Sequence, residues 1–204
     1  LQDSILYAAR HGQTTLNAKN CFRGPIDVPL DAQGYRDAHA LAYWFEPIEL
    51  SYIFSSSRTR ALDTAKIIGD RHPEVEIIPN DGLWAWNVGD FAGKPKDEYA
   101  KQFQFYVDHP DVTVPGGEAL NDFKARIRPL YREGIEVALR TALPVLFVVH
   151  SSVIHELGSL INSDHHSTLV KPGGAAAVDF SNGVLRAHAV FKPLKLGSGA
   201  DTIS

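Results

Sequence analysis

Apolar positions along this chain change their period repeatedly. Residues 5–9 form an unbroken apolar run that ends at Arg10-His11-Gly12, and they read as a strand delivering its carboxyl end to a loop. Over 33–45, Tyr35, Ala38, Leu41, Ala42 and Phe45 recur at helical spacing, and Pro47 closes the segment. A second strand is expected over 51–55. A helix is expected over 57–71, where Ala61, Leu62, Ala65, Ile67 and Ile68 make one stripe, with Ser55, Ser56 and Ser57 as candidate N-caps. A short third strand follows at 75–78. Residues 80–95, rich in Gly, Asn, Asp and aromatic side chains, read as a loop. Helices are expected over 96–107 and 118–139, the second kinked or broken at Pro129. The most apolar strand, 143–149, ends at His150, and a helix follows over 153–161. Segments 175–180 and 184–191 read as a hairpin around Ser181-Asn182-Gly183.

Strands alternating with helices predict a three-layer α/β/α domain with a mostly parallel sheet. One catalytic domain is expected over residues 1–195, followed by a mobile tail over 196–204 that contains Gly197-Ser198-Gly199. Ligands in such sheets sit beyond the carboxyl ends of the strands. Arg10-His11-Gly12 and His150 both fall at such ends.

Composition narrows the function classes. The 204 residues suffice for one sizeable core, with 44% hydrophobic and 22% charged residues. A net charge of -4 gives no general attraction to nucleic acid or to an anionic membrane, so neither partner is expected. A single cysteine, Cys21, excludes an internal disulfide and a cysteine-based metal cluster, and it suits a reducing, cytoplasmic setting. No apolar run is long enough to span a bilayer. The chain has no methionine, not even an initiator, and so reads as a processed or partial product.

Arg10, His11, Arg60 and His150 together form a kit for phosphoryl chemistry. Forked guanidinium donors pair with two phosphoryl oxygens at once, and a neutral imidazole is a competent nucleophile. Neighbouring cations disfavour imidazolium, so they keep His11 neutral near pH 7. A backbone carbonyl accepting from one ring nitrogen would free the other to attack. Gly12 lets the chain turn and bring backbone N–H groups towards an anion. No metal and no cofactor are expected. Taken singly, each of these residues is more often structural or solvated. Adjacent His165 and His166 read as solvated, and Arg58 as a solvent-facing neighbour of Arg60.

Arg10-His11-Gly12-Gln13-Thr14 with Asn17 resembles the Arg-His-Gly signature of the histidine phosphatase superfamily, in its phosphoglycerate mutase-like branch. The similarity continues through Asn20, Phe22, Gly24, Asp27, Leu30 and Gly34. Further blocks are Ser55-Ser56 with Arg60-Ala61 and Thr64-Ala65, then Pro115-Gly116-Gly117-Glu118 with Asp122 and Arg126. Val148-Val149-His150 with Val153-Ile154 follows, then Pro172-Gly173-Gly174. The resemblance implies a phosphoglycerate mutase-like fold and a phosphohistidine intermediate on His11. It implies that Arg10, Arg60 and His150, helped by Asn17 and Gly12, bind the transferring phosphoryl group. Arg23 and Gly24 would touch the rest of a small phosphorylated substrate, and Ser151 would line the pocket where the family often has glycine.

One departure bears on catalysis. The family has Leu, one residue, Glu, then Gly four residues later; here the stretch reads Leu83-Trp84-Ala85-Trp86-Asn87-Val88-Gly89. Ala85 stands at the general-acid position and cannot donate a proton. Another carboxylate (Asp81, Asp90 or Glu118) could serve, the substrate could carry a leaving group that needs little protonation, or the alanine could be an engineered replacement. The expected activity is that of a metal-independent phosphatase. A phosphoglycerate mutase-like phosphotransferase and a regulatory phosphate-binding module are the alternatives. The oligomeric state stays open, and a homodimer is compatible with the sequence.

Overall fold

Each of the short apolar runs sends alternate side chains to opposite faces of one sheet, so both faces must be covered. The computed structural model describes residues 4–161, 170–181 and 184–192. Its strands are β1 (Ser4–Arg10), β2 (Tyr52–Ser56), β3 (Glu76–Asn80), β4 (Val145–Val149), β5 (Ala175–Ser181) and β6 (Val184–Phe191). Their order is β3-β2-β4-β1-β5-β6. The pairs β1/β4, β2/β4 and β2/β3 are parallel, whereas β5 runs antiparallel to both β1 and β6. Only β5 opposes the common direction, so the sheet is mixed with a parallel majority.

The helices are α1 (Thr15–Ala18), α2 (Ala32–Phe45), α3 (Thr59–Gly69), α4 (Lys96–Asp108), α5 (Leu120–Thr141) and α6 (Ser151–Leu160). On one face, Tyr7, Ala9, Ile53, Leu146 and Val148 pack against Leu41, Phe45, Ala61, Ala65 and Ile68 of α2 and α3. On the other, Leu6, Ala8, Phe54, Val145, Phe147 and Val149 pack against Phe123, Ile127, Tyr131, Val153, Ile154 and Leu157 of α5 and α6. This is the three-layer α/β/α arrangement. Gly134 sets the spacing of its second layer: a Cβ there would lie 2.5 Å from the ring of Phe147.

Several local expectations are corrected. The helix after β2 starts at Thr59, and its N-cap Arg58 makes no side-chain cap bond. None of Ser55, Ser56 or Ser57 caps it. Asp27 does so from another segment, accepting from Thr59 N (3.0 Å) and Thr59 Oγ1 (2.9 Å). α5 runs unbroken through Pro129, because Phe123, Ile127, Tyr131, Gly134 and Ala138 tie it to the sheet on both sides of the proline. β3 includes Pro79, which an edge strand tolerates. The loop over 80–95 contains two 3-10 turns, Asp81–Leu83 and Gly89–Phe91. The turn at 182–183, His165-His166 and the tail over 196–204 lie outside the described residues.

Three neighbouring strands end together at the carboxyl edge of the sheet. Arg10 pairs with Val149, and Ser55 with Val148. The residues that follow or close these strands, His11, Ser56 and His150, therefore start from adjacent positions.

Candidate active site

The loop after β1 is held by close backbone packing. A Cβ on Gly12 would lie 2.2 Å from the carbonyl oxygen of Gly34, and one on Gly34 would lie 2.0 Å from that of Gln13. Only two glycines let the loop cross the first turn of α2 at this distance. Gly12 N donates to Thr64 Oγ1 (3.2 Å) and Gln13 N to Asp37 Oδ2 (3.0 Å). Thr14 and Asn17 then close a capping box on α1, an element absent from the sequence expectation. Four residues carry too little periodicity to be read. Asn17 Oδ1 accepts from Thr14 N and Thr14 Oγ1, so it braces the loop.

His11 sits at the centre of this arrangement with no exposed surface. Its Nδ1 lies 2.7 Å from the carbonyl oxygen of Gly12. A carbonyl can only accept, so Nδ1 carries the proton and Nε2 presents a lone pair. Nε2 is buried and makes no hydrogen bond. Burial holds the His11 pKa well below the usual histidine range, and the charges of Arg60, His150, Arg10 and Arg23 push the same way. The ring is a neutral base aimed into the pocket.

His150, the N-cap of α6, packs edge to face on His11 with ring centroids 5.2 Å apart. Its Nε2 lies 2.8 Å from Ser56 Oγ, which accepts at 3.4 Å from Arg58 N. Ser56 Oγ can give its proton to Nε2 or accept one from it. Nδ1 of His150 is buried without a partner. Burial, then Arg60, Arg23, Arg10 and Arg58, hold the His150 pKa well below the ordinary value.

Arg60 is fully buried in the first turn of α3. Its Nη1 donates to the carbonyl of Ile26 (2.9 Å) and lies 3.7 Å from Asp27, while Nε and Nη2 have no partner. Arg10 ends β1, donates from Nη1 to the Val170 carbonyl (2.9 Å) and leaves Nε unpaired. Burial and neighbouring cations lower the pKa of Arg10 to about 9 and of Arg60 to about 10. Both stay charged near pH 7, at a cost that a bound anion would relieve. Among the described residues, seven buried side-chain nitrogens lack a hydrogen-bond partner, and all but His72 Nε2 belong to Arg10, His11, Arg58, Arg60 and His150. Unpaired buried polar nitrogens are rare in proteins, and the arginine donors among these mark a binding site for an acceptor-rich anion.

A cavity of about 470 Å³ opens beside this pocket, with His150, Ser151, Arg23, Gly24 and Ala85 in its wall. Arg23 and Lys96 bring positive charge, and burial lowers the pKa of both. Gly24 takes a φ of 51°, a conformation that favours glycine. Ala85 also lines a second cavity of about 370 Å³ with Asp81, Glu118 and Arg126.

The three alternative acids do not face the first cavity. Asp90 is exposed. Asp81 accepts from Ser57 Oγ. Glu118 Oε1 accepts from Asn87 N (2.8 Å) and from Arg126 Nη2 (2.7 Å). Arg58 is not solvent-facing: its guanidinium stacks 3.7 Å from the centre of the Trp84 ring. Sequence reasoning missed Ser56 as a partner of His150, although its place at the end of β2 was a usable signal. It also missed Lys96 and the buried Glu156, which no motif distinguishes.

A model of the histidine phosphatase superfamily (branch 1) matches residues 6–174. A 2,3-bisphosphoglycerate-dependent phosphoglycerate mutase of Cytophaga hutchinsonii is 31% identical over 204 residues, covering 95% of this chain and 91% of the relative. A mycobacterial glucosyl-3-phosphoglycerate phosphatase, solved with VO3, is similar with a TM-score of 0.75 and 25% identity, covering 93% of this chain and 99% of that one. A phosphoglycerate mutase of Bacillus anthracis shares the fold with a TM-score of 0.78 at 22% identity, over 94% of this chain and 95% of that one.

Proposed function

The chain belongs to the histidine phosphatase superfamily (branch 1), and from that premise we propose that it hydrolyses small phosphate monoesters through a phosphohistidine on His11. The observation that carries this reading is the unpaired Nε2 of His11, set among the unpaired nitrogens of Arg10, Arg60 and His150. A phosphoryl dianion supplies the acceptors the arginine donors lack. His11 Nε2 then attacks phosphorus while the bond to the ester oxygen breaks. In the second half, water attacks phosphorus, the P–N bond breaks and phosphate leaves. The guanidinium groups supply the positive charge, so no metal takes part. A reducing, cytoplasmic setting suits the single Cys21.

Transfer to a second phosphate acceptor is the alternative that the mutase-named relatives favour. Two features support water as the acceptor instead. The stretch 95–118 contains no arginine with which to hold a second phosphate. Phe22, Trp86, Val88, Phe103, Leu120 and Phe123 make up much of the wall of the cavity beside His150, alongside Arg23, Lys96 and Lys124. Steady-state hydrolysis of a chromogenic phosphate ester tests the proposal. Turnover should persist in EDTA and fall by at least about 10³-fold in His11→Ala. Turnover that EDTA removes and one divalent ion restores would contradict it.

A further inference from the structure

The cavity beside His150 is a chamber lined by residues of α4, α5 and α6 and of the loops after α1 and β3. It follows α6 from Ser151 to Ser159, which at a rise of 1.5 Å per residue is a reach of roughly 12 Å from the phosphate pocket. Four aromatic rings line it. Phe103 lies 4.7 Å from Phe22 and 4.8 Å from Trp86 between ring centres, and Phe123 stacks near Trp86. The lining includes both His150 and Ala85, the latter at the sequence position where this family's acid would stand. The one acidic residue in the lining is Glu156, nearly buried, whose Oε1 is 2.7 Å from Arg128 Nε.

We propose that the physiological substrate is an aryl phosphate, with its phosphate on a phenolic oxygen and a flat, largely apolar ring system as the leaving group. The inference rests on the phosphatase reading above. Two independent features carry it. The volume of about 470 Å³ and the four aromatic rings in the lining accommodate a ring system wider than one benzene ring, because aromatic walls suit flat groups. The missing acid matches a phenol by proton demand. A phenolic hydroxyl has a pKa of about 10. An aliphatic alcohol is closer to water, at about 15.7. When the P–O bond breaks, its electron pair goes to the leaving oxygen. A phenolate carries that charge over its ring and takes its proton afterwards from water, whereas an alkoxide needs a donor in place as it leaves. Position 85 provides none. The same alanine adds little bulk to the wall of the chamber.

The test compares kcat/KM for naphthyl, phenyl, cyclohexyl and glycerol phosphates on the intact chain. Cyclohexyl phosphate separates proton demand from simple apolarity, and the naphthyl–phenyl pair reads the chamber. Naphthyl phosphate should exceed phenyl phosphate by about 10-fold or more, and cyclohexyl phosphate by a larger factor. Val107→Glu places a charge in the chamber at a position 38% exposed, where the fold tolerates it, and should collapse the naphthyl preference. Acetyl phosphate, which needs neither chamber nor acid, serves as a probe of His11 phosphorylation. If acetyl phosphate labels His11 while cyclohexyl or glycerol phosphate matches naphthyl phosphate, the aryl inference is overturned and the phosphatase reading stands. If His11 is never labelled and no ester turns over, the phosphatase reading falls and takes the inference with it.

Discussion

Arg60 has no exposed side-chain surface and two unpaired nitrogens, a combination a protein tolerates only when something else completes it. His11 and His150 are buried too, each with one unpaired nitrogen and one close polar neighbour. The Gly12 carbonyl fixes the proton on Nδ1 of His11, and Ser56 holds Nε2 of His150 at 2.8 Å. Both rings are thus oriented by short contacts made at the ends of adjacent strands. Position 85 is the residue-scale weakness. Ala85→Glu would place a carboxyl group in the wall of the chamber that His150 also lines. It should raise kcat/KM for alkyl phosphates by up to about 10²–10⁴-fold, and for nitrophenyl phosphate by far less. Equal changes for the two classes would show that position 85 does not face the leaving group. Arg10, His11 and His150 were legible in the sequence because each closes or follows an apolar strand, whereas Arg60, in the first turn of α3, was legible through the family's second block. Arg58 was misread because its stacking on Trp84 joins residues that no local pattern links.

At the scale of elements, the site depends on helix starts and loop crossings rather than on the core alone. α3 carries Arg60 in its first turn, yet its N-cap Arg58 offers no side-chain bond, and Asp27 supplies the cap from the loop before α2. Asp27→Ala should lower stability by about 0.5–2 kcal/mol in urea unfolding. It should also raise KM, since Arg60 loses its charged neighbour and its helix loses its first anchor. Unchanged stability together with unchanged KM would mean that Asp27 braces nothing. The main strands and long helices were legible because their apolar periods extend over many residues. The cap was not, because it bridges 32 residues of sequence. α1 was not, because it is a four-residue turn held by a Thr14–Asn17 box. Pro129 does not break the helix, since buried residues on both sides of it hold α5 to the sheet.

On the scale of the whole molecule, a sheet with a parallel majority gathers cations at its carboxyl edge in a chain of net charge -4. Holding them unpaired has a consequence for stability against pH. His11 and His150 have pKa values pushed well below the usual range by burial and by nearby charge, and burial lowers that of His72. Below about pH 6.5 the unfolded chain takes up protons on these rings that the folded chain refuses. Their contribution is therefore complete above that pH and is lost as pH falls towards the depressed folded values, at up to about 1.4 kcal/mol per pH unit for each ring. Urea unfolding at about pH 7.5 and 5.5 should show this loss, and His11→Asn should make it shallower. An identical slope in the variant would contradict the assignment. The most direct test of the whole account is rapid-quench mass spectrometry of the protein mixed with an activated phosphate ester. The account predicts an acid-labile phosphoryl group on His11, formed and lost at rates competent for turnover, and absent from His11→Ala. Phosphate release at the wild-type rate with no phosphorylated His11 at any time point would contradict it.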